Sequence, residues 1–152
     1  MLSEVEKLKL FEGLCDELRS KSFDHSYSYE SELKEHVVEV VRNYMKPYQG
    51  EVGVYEDKYL IEKVNAFGRE QCPDISIEVG GQTFAAIELK LLRHYWGMAR
   101  GIGQSIIDSA RYKYVTIFAI DKREFEAQKH EFDEEIESSL WDNYRIRLII
   151  RA

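Results

Sequence analysis

The stretch Pro73-Asp74-Ile75-Ser76-Ile77-Glu78-Val79-Gly80-Gly81-Gln82-Thr83-Phe84-Ala85-Ala86-Ile87-Glu88-Leu89-Lys90 decides the fold. Two runs rich in β-branched and apolar residues meet at Gly80-Gly81, and strands joined by a short Gly-containing loop are the local signature of a β-hairpin. Asp74 opens the first strand; Glu88 and Lys90 close the second. Side chains alternate along a strand, so Glu88 and Lys90 share a face while Leu89 points into the opposite layer.

Whether Asp74 joins them depends on register. A two-residue turn, Gly80-Gly81, pairs Val79 with Gln82 and Asp74 with Ile87, which leaves Glu88 on the opposite face from Asp74. A three-residue loop, Gly80-Gly81-Gln82, pairs Val79 with Thr83 and sets Asp74 opposite Glu88. The second register collects Ile75, Ile77, Val79, Ala85, Ile87 and Leu89 on one face and Asp74, Ser76, Glu78, Glu88 and Lys90 on the other. A one-residue slip exchanges faces, so this segregation favours the three-residue loop. Phe84 and Ala86 then wall the acidic face. Carboxylates brought together from two strands suit Mg²⁺, a hard cation that takes oxygen ligands, keeps several waters and binds substrate phosphate. The pattern predicts a metal-dependent phosphodiesterase.

Pro73-Asp74 followed by Glu88-Leu89-Lys90, in a hairpin between helices, resembles the PD-(D/E)XK nuclease superfamily, which includes restriction endonucleases, junction resolvases and RecB-type nuclease domains. The resemblance covers residues 28–121. It implies a restriction endonuclease-like α/β sandwich, a mixed central β-sheet flanked by helices, here with an extra N-terminal helix. It also implies hydrolysis of nucleic-acid phosphodiester bonds, DNA foremost, leaving a 5′-phosphate. Asp74 and Glu88 would bind Mg²⁺ or Mn²⁺, with the backbone carbonyl of Leu89 as a third ligand and Glu30 direct or through water. Lys90 would orient the attacking water and stabilise charge developing on the phosphate.

Glu30 enters through the second helix, read from an N-cap at Ser28 to Met45, ahead of Pro47. On a helical wheel Leu33, Val37, Val40, Val41 and Tyr44 form the buried stripe, and Glu30 falls within it. An unpaired buried carboxylate is costly, so Glu30 needs a partner; in the resembled family the first core helix often supplies a Glu to the metal. The alternative is an acid complementing the helix dipole. A later helix is read over Met98 to Tyr112, with Ile102, Ile106, Ile107 and Ala110 on one side and Arg100, Gln104, Asp108 and Arg111 on the other. Family members often carry a Gln on this helix facing the site, and Gln104 matches.

Charge argues against broad attraction to nucleic acid. The 152 residues carry a net charge of −7, whereas non-specific affinity comes from Lys and Arg neutralising phosphates. Its distribution favours the site: Lys90 to Lys113 nets +4 and the remainder −11. Arg93, Arg100, Arg111 and Lys113 are the candidate phosphate-binding residues. Glu124 to Asp142 holds eight acids and one base, Lys129, and reads as a solvated helix face.

Elsewhere, residues 2–20 show the 3.6-residue apolar period of a helix. Val52, Val54 and Tyr59 to Val64 read as a first strand or as a hairpin turning at Asp57-Lys58, and Gly68 to Cys72 as a loop. Leu91 to Gly97 reads as a connection in which Tyr95 and Trp96 are candidates for packing or base contact. Tyr114 to Ile120 reads as a buried parallel strand, Glu124 to Trp141 as a helix and Ile146 to Ile150 as a last strand. The organisation expected is a single nuclease-like domain over 1–152: residues 1–22 an accessory helix, 28–121 the core and 122–152 a C-terminal helix and strand. The outer elements offer a homodimer contact, suited to cutting two strands.

Cys15 and Cys72 are distant and form no CxxC pair, so each reads as a reduced buried thiol. His25, His36, His94 and His130 are too scattered for a ligand cluster, and His94 reads as a bystander. No segment has the ~20 consecutive apolar residues of a membrane span, and the first residues lack the pattern of a signal peptide, so a cytoplasmic protein without membrane contact is expected. Two other readings compete with the nuclease. One is a non-catalytic member of the same fold that binds nucleic acid or a protein partner. The other is an α/β protein in which Asp74 and Glu88 merely pair with Lys90.

Overall fold

A computed structural model describes residues 1–23, 26–123 and 133–152. Four α-helices lie among these residues: α1 (Glu4–Ser20), α2 (Glu30–Met45), α3 (Tyr95–Asp108) and α4 (Asp133–Tyr144). The strands are β1 (Val52–Tyr55), β2 (Val64–Ala66), β3 (Arg69–Gln71), β4 (Ile75–Val79), β5 (Gln82–Leu92), β6 (Tyr114–Asp121) and β7 (Ile146–Arg151). Five form a mixed sheet in the order β1-β4-β5-β6-β7, and β2 and β3 form a separate hairpin. The first three sheet strands are antiparallel neighbours; β5, β6 and β7 run parallel. This is the α/β architecture with a mixed sheet that the residue pattern predicts. None of the described helices is long and apolar enough to cross a membrane.

Helices cover both faces. Leu10, Phe11, Leu14, Cys15 and Leu18 of α1 and Leu33, Val37, Val40 and Val41 of α2 pack on Ile75, Ile77, Ile87 and Leu89 in one core. Helix α1 is therefore integral to the main core, and its apolar stripe is used within the chain rather than left for a second copy. Ser3 caps it reciprocally with Glu6: Glu6 N–H donates to Ser3 Oγ at 3.2 Å and Ser3 N–H to Glu6 Oε2 at 2.7 Å. Phe11 stacks on Tyr114 with ring centres 4.8 Å apart, Tyr114 on Trp141 at 6.1 Å, and the Arg147 guanidinium lies 3.6 Å over Trp141. That stack joins α1 and α4 to the parallel half of the sheet. The opposite face carries Ala86, Val115 and Ile117 against Ile102, Ile106 and Ile107 of α3.

The β4–β5 turn corrects the expected register. Val79 pairs with Gln82, so the loop is the two-residue Gly80-Gly81, with φ of +60° and +76°. Glycine adopts these angles without strain, and the twist of such a turn matches that of the strands. Glu78 then pairs with Thr83 but Ile77 with Ala85, so Phe84 is an extra residue, a β-bulge. Beyond it Ile75 pairs with Ile87, which puts Asp74 level with Glu88. The expected juxtaposition is reached by a different route. The bulge also turns Phe84 out of the acidic face, and it packs edge-on to Tyr114 at 5.6 Å in the α1–α2 core. Ala86 remains on the acidic side, buried among the α3-facing residues.

Other boundaries move as well. The cap residue of α2 is Tyr29, not Ser28; the Glu32 carboxylate folds back to accept the N–H groups of both. Asp57 begins a turn, its carbonyl accepting the N–H groups of Leu60 and Ile61, and no hairpin forms there. Gly68 to Cys72 is not a loop: Arg69–Gln71 is β3, paired with β2 around Phe67-Gly68. Helix α3 starts at Tyr95 and ends at Asp108, earlier at both ends than its apolar period predicts. The expected helix from Glu124 falls in part outside the described residues, as do His25 and His130.

Candidate active site

Glu88 is 3% exposed on the α3-facing side of β5. Leu89 is buried in the other core and Lys90 returns to the Glu88 side, as alternation requires. Lys90 crosses α3 at Gly101: a Cβ there would lie 3.3 Å from Lys90 Cε and 3.4 Å from its Cγ. With no side chain at Gly101 the lysine stem passes close against the helix. Among the described residues the Lys90 ammonium has no carboxylate partner within ion-pair distance. Asp74 stands at the mouth of β4, half-buried, and its Oδ2 accepts the Leu89 N–H at 2.8 Å. In an extended strand the N–H and C=O of one residue face the same side, so the Leu89 carbonyl also faces the Asp74 edge.

The residue that completes the site is Asp108. It is 0% exposed at the last turn of α3, although the helical wheel puts it on the polar side. The buried positions of α3 are Gly101, Ser105 and Asp108, spaced i, i+4 and i+7, while Ile102, Ile106 and Ile107 are half-buried. Hydrophobicity cannot reveal a buried stripe made of glycine, serine and aspartate. The signal that could have found it is spacing alone, since Asp108 follows Gln104 and Gly101 on one side of the helix.

Asp108 meets Glu88 carboxyl to carboxyl. Burial first, then the adjoining Asp108 carboxyl, then the charge of Asp74, push the Glu88 carboxyl far above the ordinary carboxylate range. Asp108 is raised too, mainly by burial, and is held back by its contact with Glu88. Two acids in one water-poor site cannot both be ionised without help. Gln71, delivered by β3, donates from Nε2 to Glu88 Oε1 at 3.1 Å. Neither oxygen of Asp108 has a hydrogen-bond partner of good geometry, and Gln104 Oε1 and Ser105 Oγ beside it are also buried and unpartnered. Below them Tyr112, its hydroxyl pushed up to about 12 by burial, donates to the Glu62 carbonyl at 2.7 Å and lies 3.0 Å from Ser76 Oγ.

These residues suit a hard cation. Buried carboxylate oxygens without donors are the ligands Mg²⁺ prefers, and it needs only one or two of them beside water and phosphate. Among the described residues no three acids, histidines or cysteines are gathered into a ready ligand set; Glu88 and Asp108 form the close pair, with Asp74 within electrostatic reach of both.

The remaining predicted residues divide. Gln104 is half-buried on the site side of α3. Glu30 is not in the site: it is exposed in the first turn of α2, whose stripe becomes buried only from Leu33 onward, and α2 packs on the other face of the sheet. Arg93 donates to the Ser28 carbonyl at 2.8 Å, Arg111 pairs with Glu62 and Lys113 with Glu4. Arg100 is exposed on α3, with no ion pair among the described residues. His94 is exposed at the N-cap of α3, outside any ligand group of the described residues.

Comparison of the chain with protein-family models, with curated proteins and with solved structures finds no match. The functional reading therefore rests on the residues and their geometry.

Proposed function

We propose that this protein is a Mg²⁺- or Mn²⁺-dependent nuclease with a restriction endonuclease-like fold, acting on phosphodiester bonds of nucleic acid. The observation that carries this reading is the close pair of Glu88 and Asp108, with Asp74 within electrostatic reach of both, beside an ammonium, Lys90, that forms no ion pair among the described residues. Glu88 and Asp108 would hold the cation, Asp74 would reach it directly or through water, and the Leu89 carbonyl faces the same edge. The cation, when bound, supplies Lewis-acid polarisation of the phosphate and neutralises its charge.

The chain's own groups do the rest. Lys90, positioned by Gly101, holds a water for attack and offers a positive charge where negative charge accumulates on the phosphate; fixed charges in a water-poor site act most strongly at that point. Gln71 fixes the Glu88 carboxylate in one orientation, and orienting partners of this kind commonly change metal affinity 10–100-fold when removed. Gln104 offers an amide to the same space.

A non-catalytic reading has one observation in its favour: two of the four candidate phosphate-binding cations, Arg111 and Lys113, are paired with acids. The test is cleavage of labelled single-stranded, duplex, flap and four-way-junction substrates in Mg²⁺ or Mn²⁺, beside Asp74→Ala, Asp108→Asn and Lys90→Ala proteins of verified folding. Cutting by wild type alone supports the nuclease. Binding without cutting that survives all three substitutions moves the reading to a non-catalytic protein.

A further inference from the structure

Tyr95 and Trp96 form the first turn of α3 and are 66% and 69% exposed. Their rings meet edge to face, 5.4 Å between centres at 63°. Aromatic pairs of this kind normally serve a core, where they remove large apolar areas from water. Here both rings stay in solvent, so packing does not account for them, and their setting points to a ligand. The run from Leu89 to Ile107 contains Lys90, Arg93 and Arg100 and no acid, in a chain of net charge −7. The segment of chain that carries the two rings is thus locally basic. Trp96 lies five residues before Gly101, about 7.5 Å along and about 140° around a helix of 3.6 residues per turn. It is therefore on the solvent side of α3, which exposed Arg100, four residues on, shares, while Lys90 meets the helix on its buried side at Gly101. A polyanion passing from Lys90 around the N-terminal turn of α3 toward Arg100 would bring its neighbouring units over the rings.

We propose that Tyr95 and Trp96 are a base-stacking platform that makes the site selective for single-stranded nucleic acid. This deepens the nuclease reading and rests on it. Single-strand binding combines a basic track for the backbone with aromatic faces for successive bases, and stacking tolerates any sequence because every base has a π-face. The bases of an intact duplex are already stacked on each other and offer no face to side-by-side rings on a helix, so the platform discriminates by strandedness rather than by sequence. Arg93 and Arg100 flank the pair and serve the backbone.

The test is steady-state cleavage in Mn²⁺ of a labelled 20-nucleotide single strand and of the duplex made from it. Wild type is compared with a Tyr95→Ala/Trp96→Ala protein and a Tyr95→Phe/Trp96→Phe protein. Both rings are exposed, so thermal melting should be unchanged and establishes that each variant folds. The expected result is that the alanine variant raises KM for the single strand at least tenfold with kcat and duplex cleavage unchanged, and that the phenylalanine variant restores it. Preferential cutting of duplex by wild type overturns the platform, as does an alanine variant with wild-type KM for the single strand; either leaves the nuclease reading intact. No cutting of any substrate by wild type removes the nuclease reading and the platform with it.

Discussion

Glu88 of β5 and Asp108 of α3 press two carboxyl groups together where only 3% and 0% of their surfaces reach solvent. A fold does not keep such a pair for its own stability, because like charges in a water-poor site repel and each has lost its hydration. Asp108→Asn, which keeps shape and removes charge, should therefore stabilise the metal-free protein at pH 8 by about 1 kcal/mol or more. For a chain of this size that is roughly 2–4 °C in melting temperature per kcal/mol. The same substitution should remove Mn²⁺ binding in a calorimetric titration and abolish cleavage. Loss of stability in Asp108→Asn would show that the pair is structural.

The pair also sets the pH dependence of the metal-free protein. Glu88 and Asp108 hold their protons to higher pH when folded than the ordinary values of 4.5 and 3.8 that they regain on unfolding. The folded state thus binds more protons than the unfolded chain across this range, and its stability falls as pH rises from below 4 through the raised folded values. Melting in EDTA should decline from pH 5 to pH 8. On the proposed reading a divalent cation would take the place of the proton held by this pair, so Mg²⁺ should raise the melting temperature more at pH 8 than at pH 5. An equal metal effect at both values would separate the cation from this pair.

The architecture was legible because its signals are periodic. The apolar stripes of α1 and α2, the continuous apolar run of β6 and the alternation in β4 and β5 each mark an element bounded by burial. The level pairing of Asp74 with Glu88 was legible from segregation of polar and apolar faces, yet the loop inferred from it was wrong, because a bulge at Phe84 restores the register that a two-residue turn would lose. A bulge leaves no signature in an apolar run. Strand β3 was hidden because Arg69, Glu70 and Gln71 are polar and pair only with a three-residue neighbour. Asp108 was hidden because wheels rank residues by hydrophobicity, and a buried acid facing the sheet breaks that ranking. Glu30 was misplaced because a wheel carries a stripe to the end of a helix, whereas burial in α2 begins at Leu33.

Gln71 gives the hidden strand a measurable role. Its amide donates to Glu88 Oε1 at 3.1 Å, which fixes the rotamer of a carboxylate that would hold the cation. Gln71→Met keeps length and removes the donor; a single neutral hydrogen bond contributes about 1 kcal/mol, so folding should survive. Mn²⁺ affinity should fall about tenfold, within the range typical of groups that orient a metal ligand. Calorimetry reads this directly, and unchanged affinity would leave Gln71 a surface contact of the β2–β3 hairpin.

Gly101 separates stability from activity. Alanine is favoured over glycine in a helix by about 1 kcal/mol, so most helical Gly→Ala changes stabilise. At position 101 the added Cβ would sit 3.3 Å from Lys90 Cε, 3.4 Å from its Cγ and 3.8 Å from Ile117 Cγ2. The flexible lysine yields by a few tenths of an ångström, which folding tolerates; the water-holding role proposed for it would not, since small misplacements at reacting atoms cost large factors in rate. Gly101→Ala should therefore melt at or above the wild-type temperature, bind Mn²⁺ normally because Lys90 is no ligand, and lose at least tenfold in kcat. Gly103, two residues along the same helix, has nothing within 4 Å of an added Cβ, so Gly103→Ala should gain the same helical stability and keep full activity. Equal kcat in the two variants would mean that the passage of Lys90 past α3 does not position it for chemistry.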